Sequence, residues 1–220
     1  MPFEFHRPIL YLITRGATNS ATTSSTPDFK QLLDRIAAAV AAGIDLIQLR
    51  EKSLTSRVLF ELTAEASRLT RNSATLLLVN DRADIAVGAG ADGVHLTSRS
   101  LDASTVRRTF GAKLLIGAST HSVAEAVACR EDADFIVFGP VFTPLSKIDS
   151  RASKGVDELK HLALTLAGFP VLALGGVTEQ NIELCLEAGA AGVAGITLFS
   201  DPERLAQLAL IKETKHFNEK

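Results

Sequence analysis

The chain has 220 residues, 46% of them hydrophobic, with 23 Lys and Arg against 25 Asp and Glu for a formal charge of −2. That balance suits a globular chain able to bury a large core, and the lack of a basic block gives nucleic acid no electrostatic foothold. No apolar run approaches bilayer length and the N-terminus carries no cleavable-signal pattern, so the expectation is a cytoplasmic protein with no membrane partner.

Short runs rich in Ile, Leu and Val recur from end to end. "ILYLITR" (9–15) comes first, followed by a long Ser/Thr-rich loop (16–28) that reads as a lid or an excursion. "DFKQLLDRIAAAVAAG" then has helical apolar spacing, opens near Asp28 and stops at Gly43. "IDLIQLR" (44–50) is the second run; the helix after it takes Thr55 or Ser56 as N-cap. "TLLLVND" (75–81) leads into "RADIAVGAGA", which has room only for a short helix. "GVHL" (93–96), "LLIGAST" (114–120), "FIVFGPV" (135–141), "PVLALGG" (170–176) and "GVAGIT" (192–197) complete the set. "SVAEAVACRE", "VDELKHLALTLAG" and "EQNIELCLEAGA" supply helices between the later runs. Cys129 and Cys185 fall in two of them; they lack metal-ligand spacing and read as small buried or half-buried thiols in a reducing compartment.

Runs this short and apolar fit strands covered on both faces, as a parallel sheet requires. Eight strands alternating with helices predict one (β/α)8 barrel, a TIM barrel spanning residues 1–220 as a single domain. An open doubly wound sheet competes less well, because "ITRGATNSAT" is no dinucleotide fingerprint.

Barrels of this kind place their chemistry where the strands end in the βα loops. There the chain has Arg15, then Gln48, Arg50 and Lys52, then Asn80 and Asp81, His95, Ser119 and His121, the loop "GPVFTPLSK", Gly175 and Gly176, and Gly195 to Thr197. Gln48, Arg50 and Lys52 alternate, so an extended chain sends all three to one side, where they could grip a phosphate or diphosphate. The competing reading is solvated strand-end charges paired with Glu51 or Asp81. Ser146 and Lys147 add a hydroxyl and a third cation. Asp81 beside such a site suggests Mg²⁺ bridging carboxylate and substrate phosphates, unless it pairs with Arg82 or Arg50. The glycines of the last two units, with Ile196 and Thr197, suggest a second anion site built from backbone N–H groups. Two phosphorylated small molecules joined between the sites is the natural inference. His121 and His95 are candidate proton carriers; His95, in a short strand, reads as hydrogen-bonded and structural.

"IDLIQLREK", "LLLVNDRADIAVGAGADGVHL", "IGASTHSVAEA", "ADFIVFGPVF…SK", "PVLALGGVT..N" and "AGAAGVAGI" together resemble the thiamine phosphate synthase family, whose superfamily also holds the thiazole tautomerases. The resemblance runs from about Leu10 to Pro202. It implies a transferase of thiamine biosynthesis, commonly a homodimer, that joins hydroxymethylpyrimidine diphosphate to thiazole phosphate and releases pyrophosphate. By resemblance Gln48, Arg50, Lys52, Asn80, Ser119 and Lys147 would hold the diphosphate, Asp81 would bind Mg²⁺, and Gly176, Ile196 and Thr197 would hold the thiazole phosphate. The chain departs from the pattern after "GVHL": synthases carry Gly-Gln-x-Asp, with a second metal carboxylate, where this chain has "TSRS", Ser100 at the Asp position. Asp102 lies two residues on, Pro144 replaces a threonine, and Arg15 replaces an aspartate. A tautomerase with His121 as acid/base, or a non-catalytic binder of thiazole phosphate or thiamine phosphate, therefore stands as the alternative.

Overall fold

Each apolar run becomes a strand, and the strands alternate with helices along the chain. The computed structural model describes residues 8–143, 152–199, 201, 205 and 208. The order is β1 (Ile9–Ile13), α1 (Pro27–Ala41), β2 (Leu46–Leu49), α2 (Ser56–Thr70), β3 (Leu76–Asn80), α3 (Ala83–Ala89) and β4 (Gly93–Leu96). Then come α4 (Ala103–Phe110), β5 (Leu115–Thr120), α5 (Val123–Cys129), β6 (Phe135–Phe138), α6 (Gly155–Thr165), β7 (Val171–Ala173), α7 (Ile182–Glu187) and β8 (Gly192–Gly195). All neighbouring strands pair in parallel, and β8 closes onto β1 to give the expected eight-stranded barrel.

Two apolar layers follow from the two faces of each strand. Ile9, Tyr11, Leu46, Leu78, Leu115, Phe135 and Leu172 fill the barrel interior. The alternate residues Leu10, Leu12, Ile47, Leu49, Leu77 and Ile116 pack outward against helix residues such as Phe29, Ile36 and Leu62. Each such side chain contributes roughly 2 kcal/mol on leaving water. Thr55 caps α2, its hydroxyl accepting from the Val58 N–H. Cys185 is buried in α7, which pushes its thiol up to about 11, as befits a packing residue.

The periodicity did not single out α4. Its N-cap is Asp102, which accepts from the Thr105 N–H at 2.7 Å and the Ser104 hydroxyl at 2.7 Å. Another device repeats beneath the barrel. Asp45, Asp92 and Asp134, just before β2, β4 and β6, accept the backbone N–H groups of Leu10, Leu77 and Ile116 on the preceding odd strands, at 2.7–2.9 Å. Each carboxylate satisfies a strand-entry donor that the ladder leaves open.

The loop between β1 and α1 is organised by its own short polar side chains. Thr18 and Thr22 are buried, Asn19 accepts from the Ala21 N–H, and Thr22 donates its hydroxyl to Asp28. Short polar side chains bonding to nearby backbone organise such segments into turns.

Candidate active site

Inward alternation carries Gln48 on the face of Leu46 and Asn80 on that of Leu78, and continues beyond β2 to Arg50 and Lys52. These four side chains open into a cavity of about 660 Å³ at the C-terminal ends of the strands. Ser119 and His121, from the end of β5, line the same space, as do Gly176, Ile196 and Thr197 after β7 and β8. β3, which carries Asn80, stands across the eight-membered ring from β7, and β2 lies beside β3, so the cationic group faces the glycine group over one mouth. Ser146, Lys147 and Pro144 lie outside the described residues. Arg15 is exposed and does not line the cavity.

The cations are not spent on structural pairs. Among the described residues neither Arg50 nor Lys52 takes part in a salt bridge. Glu51, between them, points the other way: buried, it accepts the N–H groups of Gly16 and Thr18 at 3.1 Å each and the Thr18 hydroxyl at 2.6 Å. Arg99, in the loop after β4, lines the cavity as well and likewise has no ion pair among the described residues. Sequence reasoning passed over it; the only signal was its position inside the departing "TSRS" segment. The three positive charges are close enough to act on one another. Lys52 is held below its usual range first by burial and then by Arg50 and Arg99, with Asp81 opposing. A cluster of this kind is relieved by a polyvalent anion. Gln48 adds an amide whose Nε2 is buried and has no partner among the described residues, a donor facing the cavity without an acceptor.

Asp81 follows the last residue of β3 with φ +65°, its N–H bonded to the His95 carbonyl at 2.9 Å. The carboxylate is exposed at the rim beside Lys52 rather than lining the cavity. Arg82 is not its partner, because that guanidinium binds Asp84 through two bonds of 2.8 and 2.6 Å. Ser100 accepts the Thr97 N–H at 2.8 Å and pairs with the Thr97 hydroxyl, while Asp102 is committed to the α4 cap, which holds it down at about 2. The described residues contain no cluster of three or more His, Cys, Asp or Glu that could cage a metal. One rim carboxylate fits an ion that takes most of its ligands from substrate phosphates and water, the usual habit of Mg²⁺.

On the opposite side, Gly175 and Gly176 have φ +93° and +63°. A Cβ on Gly176 would stand 2.6 Å from the Thr143 carbonyl oxygen, so only glycine lets this turn pack under the loop after β6. The imidazole of His121 donates its Nδ1–H to the Gly139 carbonyl at 2.6 Å, which fixes the ring at the cavity wall. His95 is buried, and desolvation lowers it to about 3, which favours the neutral imidazole.

A sequence model of the thiamine monophosphate synthase family matches residues 10–199. The chain is 41% identical to the thiamine-phosphate synthase of Methanoculleus marisnigri over 86% of this chain and 85% of that one. It is 36% identical to the thiamine-phosphate synthase of Chlorobium luteolum over 96% of both chains. The solved structure of thiamine phosphate pyrophosphorylase from Pyrococcus furiosus superposes with a TM-score of 0.78 at 26% identity, covering 94% of this chain and 96% of that one. A match over this much of the barrel, strand ends included, means that the chain belongs to the thiamine monophosphate synthase family.

Proposed function

We propose that this chain is a thiamine-phosphate synthase, coupling hydroxymethylpyrimidine diphosphate to thiazole phosphate and releasing pyrophosphate. The observation that carries the reading is the set of cavity cations, Arg50, Lys52 and Arg99, without ion pairs among the described residues and facing Gly176, Ile196 and Thr197 across one mouth. Transfer of the pyrimidine group needs the carbon–oxygen bond to the diphosphate to break and a bond to the thiazole nitrogen to form. Negative charge grows on the departing diphosphate, and preorganised cations at that end lower the barrier most. Asn80 and Ser119 offer further donors there, and Gln48 orients the bound substrate. Backbone N–H groups of Gly176, Ile196 and Thr197 would hold the thiazole phosphate, bringing its nitrogen to the reacting carbon. Asp81 would hold Mg²⁺, which when bound adds neutralising charge to the diphosphate. Ser146 and Lys147 belong to the same diphosphate reading, as does assembly of a cytoplasmic homodimer.

Incubating the purified protein with both substrates and Mg²⁺ should release pyrophosphate in step with thiamine phosphate. No release at any Mg²⁺ concentration overturns the reading. A thiazole tautomerase is the second reading, favoured by the fixed ring of His121 at the cavity wall and by Ser100 where synthases carry a carboxylate. It predicts isomerisation of a thiazole phosphate substrate with no pyrimidine present.

A further inference from the structure

From the barrel interior to the cavity wall runs a chain of polar atoms. The Tyr11 hydroxyl lies 3.2 Å from His95 Nδ1, and His95 Nε2 lies 2.8 Å from the Ser119 hydroxyl. Tyr11 and His95 are 0% and 2% exposed; His95 and Ser119 both border the cavity, and Tyr11 lies beneath them. The ring of Phe135 packs edge-on to Tyr11 at 5.5 Å and tilted to His95 at 6.1 Å, fixing both rings. Gly117 makes the room: a Cβ there would meet Phe135 at 2.3 Å and His95 Nδ1 at 2.8 Å.

The direction of each hydrogen bond follows from counting protons. Tyr11 has His95 as its hydrogen-bond partner and is surrounded by apolar side chains. Had it accepted from Nδ1–H, its own hydroxyl proton would be buried without an acceptor, which is costly. Tyr11 therefore donates to Nδ1. A neutral imidazole that accepts at Nδ1 carries its proton on Nε2 and donates from there. Ser119 Oγ accepts that hydrogen bond and cannot donate back along the same line, which leaves its own hydroxyl hydrogen free to turn toward the cavity.

We propose that Tyr11 and His95 are positioning residues that lock one imidazole tautomer and so make Ser119 an obligate hydrogen-bond donor to an anionic oxygen in the cavity. Only the identity of that oxygen, a diphosphate, rests on the synthase reading. Without the lock, Ser119 could spend its proton on His95 and present a lone pair to the anion, which repels it. The arrangement selects an oxyanion at this point of the site and needs no proton transfer.

Nitrogen-15 NMR of histidine-labelled wild-type protein, with His95 assigned by its loss in His95→Gln, reads the tautomer without any substrate. A protonated Nε2 and bare Nδ1 are expected; a protonated Nδ1 overturns the proposal. Binding of inorganic pyrophosphate is then measured across a double-mutant cycle. Tyr11→Phe and Ser119→Ala should each weaken it about tenfold, and the double variant no more than either alone. Effects that multiply overturn the coupling. His95→Gln, which keeps an N–H to offer Ser119, should bind clearly better than His95→Leu; equal losses overturn the role assigned to Nε2. If pyrophosphate fails to bind the wild type at all, the synthase reading falls, while the tautomer measurement still decides the lock. Should Tyr11→Phe not fold, the wild-type spectrum and the two His95 variants decide.

Discussion

Glu51 accepts the hydroxyl of Thr18 at 2.6 Å and the backbone N–H of the same residue at 3.1 Å, tying the loop after β1 to the end of β2. Beside it, Thr14 Oγ1 accepts the Arg50 N–H at 2.8 Å. The residue between the two cations thus serves as their anchor. Thr18→Val should cost about 1–2 kcal/mol, and Glu51→Ala, which orphans two N–H groups, about 2–4 kcal/mol in urea unfolding. Pyrophosphate affinity should fall with Glu51→Ala. Unchanged affinity would mean that the loop tie is purely local.

Replacement of the cavity cations tests which of them grip the diphosphate. Arg50→Gln should reduce pyrophosphate affinity by about tenfold or more, and Arg99→Ser by about threefold to tenfold. The loss in Arg99→Ser should shrink at high salt, since this exposed charge acts through solvent. Titration calorimetry at two ionic strengths separates the cases; no effect in Arg99→Ser would remove it from the site.

Lys52 couples function to stability. Its folded-state value lies below the ordinary 10.5 because of burial and its cationic neighbours, so folding disfavours its charged form. Below the lowered value Lys52 is charged in both states and folding carries the cost. That cost lifts only as pH rises through the folded value toward 10.5. Lys52→Met should therefore raise Tm at neutral pH, by roughly 1–2 °C given the side chain's exposure, while lowering pyrophosphate affinity. At alkaline pH, pyrophosphate binding by the wild type should take up a proton, measurable as a buffer-dependent enthalpy, and by Lys52→Met should not.

Gly176→Ala places a Cβ in a left-handed conformation and against the Thr143 carbonyl. A loss of about 1–3 kcal/mol in stability is expected, together with weaker binding of thiazole phosphate. If stability is unchanged, the turn has more freedom than its geometry implies.

His121→Ala separates the two functional readings. Under the synthase reading pyrophosphate release persists, because the charge on the leaving group is met by Arg50, Lys52 and Arg99. Under the tautomerase reading isomerisation disappears while thiazole phosphate affinity remains. Parallel assays with the two substrate sets distinguish these outcomes directly.

The eight strands were legible because a strand buried on both faces writes itself as a short apolar run. The shared face of Gln48, Arg50 and Lys52 was legible because side-chain alternation is a property of a few adjacent residues. α4 escaped notice because its cap and its buried residues Ala103 and Val106 leave little apolar period to read. What only the tertiary structure decided was the choice of partners. Glu51 lies beside both cations in sequence yet bonds to a loop 33 to 35 residues earlier. Asp81 lies beside Arg82, which turns to Asp84 instead. Arg99 joins Arg50 and Lys52 only because the pairing of β2, β3 and β4 brings the loop after β4 to the same rim as the end of β2. Periodicity is local and survives in a single sequence. The partner of a charge is set by distances that exist only once the chain has folded.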